Sequence, residues 1–328
     1  MICNDTMYIE LNTGKGQFWK ERKNMFQAKK AIREKIYTKI ALMAPSGGGK
    51  TYSALRLATG MANQIKKITK KDARILMGNT EQKRGYYYAN EFNYDIVDIE
   101  APHNPEKYVE LIDYAVENGY DILIIDSSSH EWEGKGGCLD LQTQAGGTYQ
   151  SWSKVTPRHN KFIEALTESP IHIIATMRGK DQYEMVKDDK TGKASVQKLG
   201  IGAKQRDGFE YEFTCTFLID QKTNAAEAQK DNTHLFENQG PTILTEKHGE
   251  QIIKWANSGE EHIATPEEKL APLQKQLTDL AVSKGGSKNP DVIVVLEKYG
   301  IKNPAKCLDE DKLSGAIKDL ENLENKEN

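Results

Sequence analysis

Short apolar runs alternate along the chain with longer segments whose apolar residues recur every three or four positions. The runs are KIALMA (39–44), ARILMGN (73–79), YDIVDI (94–99), DILIID (121–126) and IHIIATM (171–177), each of strand length and bounded by polar or glycine-bearing stretches. Between them, Thr51 to Ile65 has helical spacing through Leu55, Leu57, Ala58 and Met61, and PEKYVELIDYAVENG (105–119) reads as a helix ending on Gly119. TPRHNKFIEALTES (156–169) reads as another, capped by Thr156 with Pro157 in its first turn. Strands alternating with helices predict an α/β fold, a mostly parallel sheet flanked by helices.

Beyond IHIIATM the pattern changes. QYEMVKDDKTGKASVQKLG (182–200) predicts a hairpin around DDKTGK, FEYEFTCTFLID (209–220) a strong strand, THLFE (233–237) a short one, and TEKHGEQIIKWANSG (245–259) a helix closing the core. Three helices are expected in the last 64 residues, within LAPLQKQLTDLAV, DVIVVLEKYG and DEDKLSGAIKDLENL. The expected organisation is a polar, basic, partly helical extension over 1–36 with FQAKKAIREK as its helix, an α/β core over 37–260, and a small helical domain over 265–328. HEWEGKGGCLDLQTQAGGTYQSWSK (130–154) is a glycine-rich polar loop too long for a simple connection, the kind that carries function.

Composition narrows the function classes. The 328 residues are 38% apolar and 28% charged, a globular balance, with no run of about 18 apolar residues to span a bilayer. No secretory or transit signal opens the chain, and Cys3, Cys138, Cys215 and Cys307 have neither paired spacing nor partnering histidines. Disulfide scaffolds and zinc knuckles are therefore not expected, and a reducing cytoplasm is. The net charge of −3 hides two basic stretches, 15–35 and 178–206, and an acidic last 70 residues.

The chemistry begins at APSGGGKT (44–51), a P-loop pattern between an apolar strand and a helix. Small residues at Gly47, Gly48 and Gly49 let backbone N–H groups turn around phosphate oxygens, and the helix points its positive end at the anion. Lys50 is expected to reach the β- and γ-phosphates of ATP and Thr51 to hold Mg²⁺, with Ser46 to Tyr52, Tyr52 included, forming the nucleotide-binding stretch. Asp126, closing an apolar strand, is the matching acid for the metal.

P-loop kinases and GTPases commonly set that acidic strand beside the P-loop strand, whereas ATPases of the RecA and AAA type insert another between them. ARILMGN falls between the two motifs and leads at once into Thr80 and Glu81, a carboxylate placed to polarise a water for attack on the γ-phosphate. Glu131 and Glu133, just past Asp126, are rival bases, and all three could be plain surface carboxylates. At the end of IHIIATM, Thr176 is a candidate γ-phosphate sensor and Arg178 a candidate charge stabiliser; either could instead serve packing.

Together APSGGGKT, NTEQKRG, IIDSSSHEWEGKGG, TPRHNKFIEAL, HIIATMRGKDQYE, AKQRDGFEYEF and KDNTHLF resemble the RecA-like nucleotide-binding proteins of bacteriophages, associated with single-strand annealing and recombination. The resemblance covers roughly residues 37–258. It implies a RecA-type Mg²⁺-dependent ATPase stimulated by single-stranded DNA, a homo-oligomer in ring or filament form, a bacterial host cytoplasm, and a phage single-strand binding protein as a further partner. By position, Glu81 corresponds to the catalytic glutamate, Asp126 to the Walker B acid, and Thr176 to the residue opening the second DNA loop. Two DNA loops are then expected. The first, near 130–155, offers Trp132, Tyr149 and Trp152 for stacking with Lys135 and Lys154 for phosphates; the second, near 178–205, offers Arg178, Lys180, Lys187, Lys190, Lys193 and Lys198 around Tyr183. A solvated charged hairpin is the alternative for the second, since Asp181, Glu184, Asp188 and Asp189 dilute its field. Lys204 and Arg206 are candidate cations acting across a subunit interface.

The family pattern is departed from at Thr176, where glutamine is typical of RecA, and at MFQAKKA, which lacks the phenylalanine-x-x-alanine hook between subunits. Two other function classes stand beside this one: a regulatory ATPase that switches protein contacts without DNA, and a metabolic kinase, disfavoured by the extra strand and the lack of an arginine-rich lid.

Overall fold

A computed structural model describes residues 30–187, 194–261 and 266–323. The chain forms two compact units, Met1–Glu260 and Glu261–Asn328. Lys190 and Lys193, together with the side chain of Lys187, lie outside the described residues.

The first unit is an α/β core. Among the described residues its eight strands are β1 (Lys39–Ala44), β2 (Ile75–Asn79), β3 (Asp95–Asp98), β4 (Ile122–Asp126), β5 (His172–Lys187), β6 (Ala194–Ala203), β7 (Cys215–Ile219) and β8 (Ala226–Asp231). They run in the order β3-β2-β4-β5-β1-β7-β8, with β6 paired to β5 off that path. All pairs from β3 to β7 are parallel; β5–β6 and β7–β8 are antiparallel. The central strands read as unbroken apolar runs because both faces are buried. Ile40, Leu42, Ile122, Ile124 and Ile174 pack with helices α1 (Lys50–Thr69) and α6 (Glu246–Ala256) on one face. Ala41, Met43, Leu123, Ile125 and Ile173 pack with α2 (Pro105–Glu117) and α5 (Trp152–Glu168) on the other.

Helices α1 and α6 cross at glycine contacts. A Cβ on Gly249 would stand 2.2 Å from the Leu57 carbonyl oxygen, and one on Gly60 would stand 1.9 Å from that of Glu246. Beside this crossing, Arg56 forks onto Glu246 with bonds of 2.9 and 2.8 Å. Because backbone, not a flexible side chain, fills the space, Gly249→Ala is expected to destabilise the core by about 1–3 kcal/mol. A thermal melt should then fall by at least a few degrees, and an unchanged Tm would contradict the crossing.

Several expectations need correction. Residues 30–35 are not helical: they run extended, with Lys35 N–H donating to the Glu260 carbonyl at 2.8 Å and Glu260 N–H to that of Arg33 at 2.8 Å. Gly259 admits this approach, since a Cβ there would meet the Glu34 carbonyl carbon at 2.3 Å. The strand between the P-loop strand and the Asp126 strand is β5, not ARILMGN, whose β2 lies on the far side of β4. IHIIATM does not stop at Arg178 but continues as the first hairpin arm, making β5 a 16-residue strand. The segment 130–154 is not a loop: it holds α3 (Ser129–Glu133), α4 (Cys138–Gln144), a 3-10 turn (Tyr149–Ser151) and the start of α5. Helix α5 therefore begins at Trp152, and Thr156 and Pro157 lie inside it, with Thr148 and Ser151 forming a capping box at the preceding 3-10 turn. FEYEFTCTFLID is a 3-10 turn, Phe209–Glu212, followed by β7, and THLFE is a turn rather than a strand, because Asp231 accepts the Thr233 and Phe236 N–H groups at 2.8 Å each.

The second unit packs α7 (Pro266–Ser283), α8 (Pro290–Lys298) and α9 (Glu310–Glu321) around Leu277, Val292, Leu313, Ala316 and Leu320. No helix among the described residues is long and apolar enough to cross a membrane.

Candidate functional site

The carboxyl ends of β1, β2, β4 and β5 converge on one edge, where ligands of open parallel sheets bind. After β1 the chain turns through Gly47 (φ 79°) and Gly49 (φ 78°) before α1 begins at Lys50. Gly48 is needed for room: a Cβ would sit 2.7 Å from that of Ala44. The Lys50 ammonium donates to the Ala44 and Pro45 carbonyls at 3.0 and 3.1 Å, and burial lowers its pKa against the opposing pull of Asp126 and Glu81.

Asp126 is buried at the end of β4 and accepts from Thr51 Oγ1 through one oxygen and from Thr176 Oγ1 through the other, both at 2.5 Å. Burial pushes its carboxyl up in pKa while the two hydroxyls pull it down, and burial prevails. Hydroxyl and carboxylate oxygens brought together at a P-loop suit a hard divalent cation, so Thr51 and Asp126 are the residues that would hold Mg²⁺. Ser46, Gly47, Gly49, Lys50, Thr51, Glu81 and Asp126 line one pocket of about 330 Å³. Tyr52 is not in its wall: it lies edge-on to Tyr88 and Phe92 and donates to Glu91 at 3.3 Å.

Glu81 is placed by the end of β2. Thr80 N–H donates to the Asp126 carbonyl at 2.7 Å, and Glu81 N–H to Asn79 Oδ1 at 3.1 Å, which ties the β2 end to the β4 end. The Glu81 carboxylate, 16% exposed, takes two bonds from Arg178 on Oε1, at 2.7 and 3.1 Å. Glu131 is placed quite differently. Fully buried, it accepts from Cys138 Sγ (3.1 Å), sits 2.9 Å from His159 Nδ1 and accepts from Gln205 Nε2 (3.1 Å), so both oxygens are engaged inside the protein. Glu133 pairs with Lys204 at 3.4 Å and lies 4.0 Å from Arg178.

The remaining expected residues scatter around this edge. Trp132 and Trp152 stack on each other, centroids 5.3 Å apart at 12°, so each already covers one face of its neighbour. Tyr149, 88% exposed, stands free of that pair, and Lys135, Lys154 and Lys180 are exposed. Lys204 is paired within its own chain, and Arg206 reaches Asn160 Oδ1 at 3.5 Å on α5. Sequence reasoning missed His103, His130, Cys138, His159 and Gln205. Among these, His130 Nδ1 meets Thr80 Oγ1 at 2.6 Å and its ring stacks on His103, centroids 5.1 Å apart. No spacing rule could have joined residues contributed by separate elements.

None of the curated proteins matches the chain. The sequence profile described as AAA domain matches residues 36–253, a span that contains the P-loop, Glu81, Asp126, Thr176 and Arg178. With a nucleotide-binding P-loop between β1 and α1, an acidic residue closing β4, and that profile over most of its length, the chain belongs to the AAA domain family of P-loop ATPases.

Proposed function

We propose that this protein is a RecA-type, Mg²⁺-dependent ATPase of phage recombination or strand annealing, in which bound ATP controls affinity for single-stranded DNA. Glu81 accepts a proton from the water that attacks the γ-phosphorus, and ADP leaves as the opposite P–O bond breaks. Lys50 and the turned N–H groups of the P-loop hold the phosphates in line. Mg²⁺, when bound at Thr51 and Asp126, offsets charge on the β- and γ-phosphates.

The observation that carries the DNA half of the reading is the continuity of β5. The same strand presents Thr176 to Asp126, Arg178 to Glu81, and then runs on to Lys180 and into the arm paired with β6. A change at the nucleotide has a direct covalent route to the hairpin. Assembly into a ring or filament, with Lys204 or Arg206 of one protomer reaching the next, extends this reading, as does a phage single-strand binding protein as a partner.

A regulatory ATPase acting through protein contacts is the second reading. An apolar pocket of about 660 Å³ in the helical unit, lined by Val282, Val292, Ile293, Leu296 and Ile301, favours it. Fluorescence anisotropy with a labelled single-stranded oligonucleotide, with and without ATP, separates the two. The expected result is binding that tightens with ATP, weakens steeply with salt, and loses its ATP response in Lys50→Ala. No binding at low salt would discard the DNA reading in favour of the second.

A further inference from the structure

Behind the P-loop pocket lies a second, polar pocket of about 480 Å³, and the two share Glu81, Arg84 and Arg178 as a common wall. Its other walls include Thr80, His103, His130, Glu133, Gly134 and Lys135. The partition is an ion pair, not a packed apolar layer. Arg178 holds Glu81 Oε1 at 2.7 Å, while Oε2 faces Arg84 at 3.6 Å. Both oxygens of the carboxylate are thus turned toward guanidinium groups, so neither is free to meet an attacking water.

Arg178 has somewhere else to go. It is one-third exposed, lies 4.0 Å from Glu133, and shares the second pocket with Lys135 and Arg84. Three cations there stand against two carboxylates, and the stacked His103 and His130 both have lowered pKa values, chiefly from burial, so neither adds positive charge at neutral pH. His103 is 9% exposed and its Nδ1 has no hydrogen-bond partner. The site is thus polar, cationic and incompletely satisfied.

We propose that this second pocket is a subsite for a backbone phosphodiester of single-stranded DNA, and that a phosphate seated there draws Arg178 off Glu81, freeing the glutamate to act as base. The inference rests on the DNA reading above and adds how DNA would switch hydrolysis on. Arg178 is then a positioning residue that restrains the base until nucleic acid arrives, and Lys135 is a phosphate contact at the pocket rim.

The test is steady-state ATP hydrolysis by the full chain with and without a single-stranded oligonucleotide, for wild type, Arg178→Ala, Arg178→Lys and Lys135→Ala. Arg178→Ala is expected to raise the DNA-free rate about tenfold, a part of the range a general base contributes, and to bring the ratio of stimulated to basal rate close to one. Arg178→Lys should restore part of the restraint, and Lys135→Ala should raise the DNA concentration needed for half-maximal stimulation. Glu81→Gln supplies an independent readout: with no carboxylate to hold Arg178, it should bind DNA several-fold more tightly than wild type, by linkage.

A lowered DNA-free rate in Arg178→Ala, or a stimulation ratio equal to wild type, would overturn the inference. Stimulation by inorganic phosphate as strong as by DNA at matched phosphate would overturn the assignment to a nucleic-acid phosphodiester. DNA binding by wild type without any change in hydrolysis would sink the inference and leave the DNA reading standing. No DNA binding would sink that reading and the phosphodiester assignment together, whereas a raised rate in Arg178→Ala would still support the restraint on Glu81.

Discussion

Glu81→Gln is expected to lower the rate of ATP hydrolysis by roughly 10²–10⁴-fold, the range that a positioned general base contributes, while leaving nucleotide affinity within a few-fold of wild type. Glu81 is the carboxylate that shares the P-loop pocket with Lys50, Thr51 and Asp126 without itself being bonded to Thr51 or Thr176. Asp126 has both oxygens engaged by those hydroxyls, which suits a metal-orienting acid rather than a base. Glutamine keeps the shape but has neither the charge that holds Arg178 nor the capacity to take a proton. Phosphate release measured beside binding of a fluorescent ATP analogue checks both halves, and turnover within threefold of wild type would remove Glu81 from the mechanism.

The placement of Glu81 was legible in the chain because the signal is local. An apolar strand followed by a polar pair needs only the order of residues, and the same holds for APSGGGKT and for DILIID. What lay beyond reach depends on residues far apart in sequence. ARILMGN precedes DILIID in the chain, so it invites placement between the two motifs; in space β5 fills that position, since parallel strands joined by helices need not lie in sequence order.

The segment 130–154 misled for a different reason. Helices α3 and α4 span five and seven residues, too short to show amphipathic periodicity, and they are glycine-flanked at Gly134, Gly136 and Gly137. Their order comes instead from tertiary contacts. Gly136 N–H donates to Asp140 at 2.8 Å, and Glu131 binds groups from α4, α5 and the stretch after β6. Trp132 and Trp152, which read in sequence as two stacking platforms, are brought face to face by those short helices.

Glu131 is where the second large effect is expected. Removing its carboxylate in Glu131→Ala leaves His159 Nδ1 and Cys138 Sγ without their acceptor and Gln205 Nε2 with the Ser128 carbonyl alone, at a buried site where His159 Nε2 already lacks a partner. Each buried polar group left unpaired costs about 1–3 kcal/mol, and breaking a buried charged network by deleting one partner costs roughly 3–5 kcal/mol. For a core of this size that corresponds to a fall in Tm of roughly 6–20 °C. Glu131→Gln should cost less, because its carbonyl still accepts from His159 and Cys138 while its amide opposes only that of Gln205. At a temperature where both variants remain folded, hydrolysis should stay within a few-fold of wild type, since the nearest ligands of Glu131 are protein groups rather than the P-loop. A loss of turnover as deep as that of Glu81→Gln, with Tm unchanged, would reverse the two assignments and make Glu131 the base.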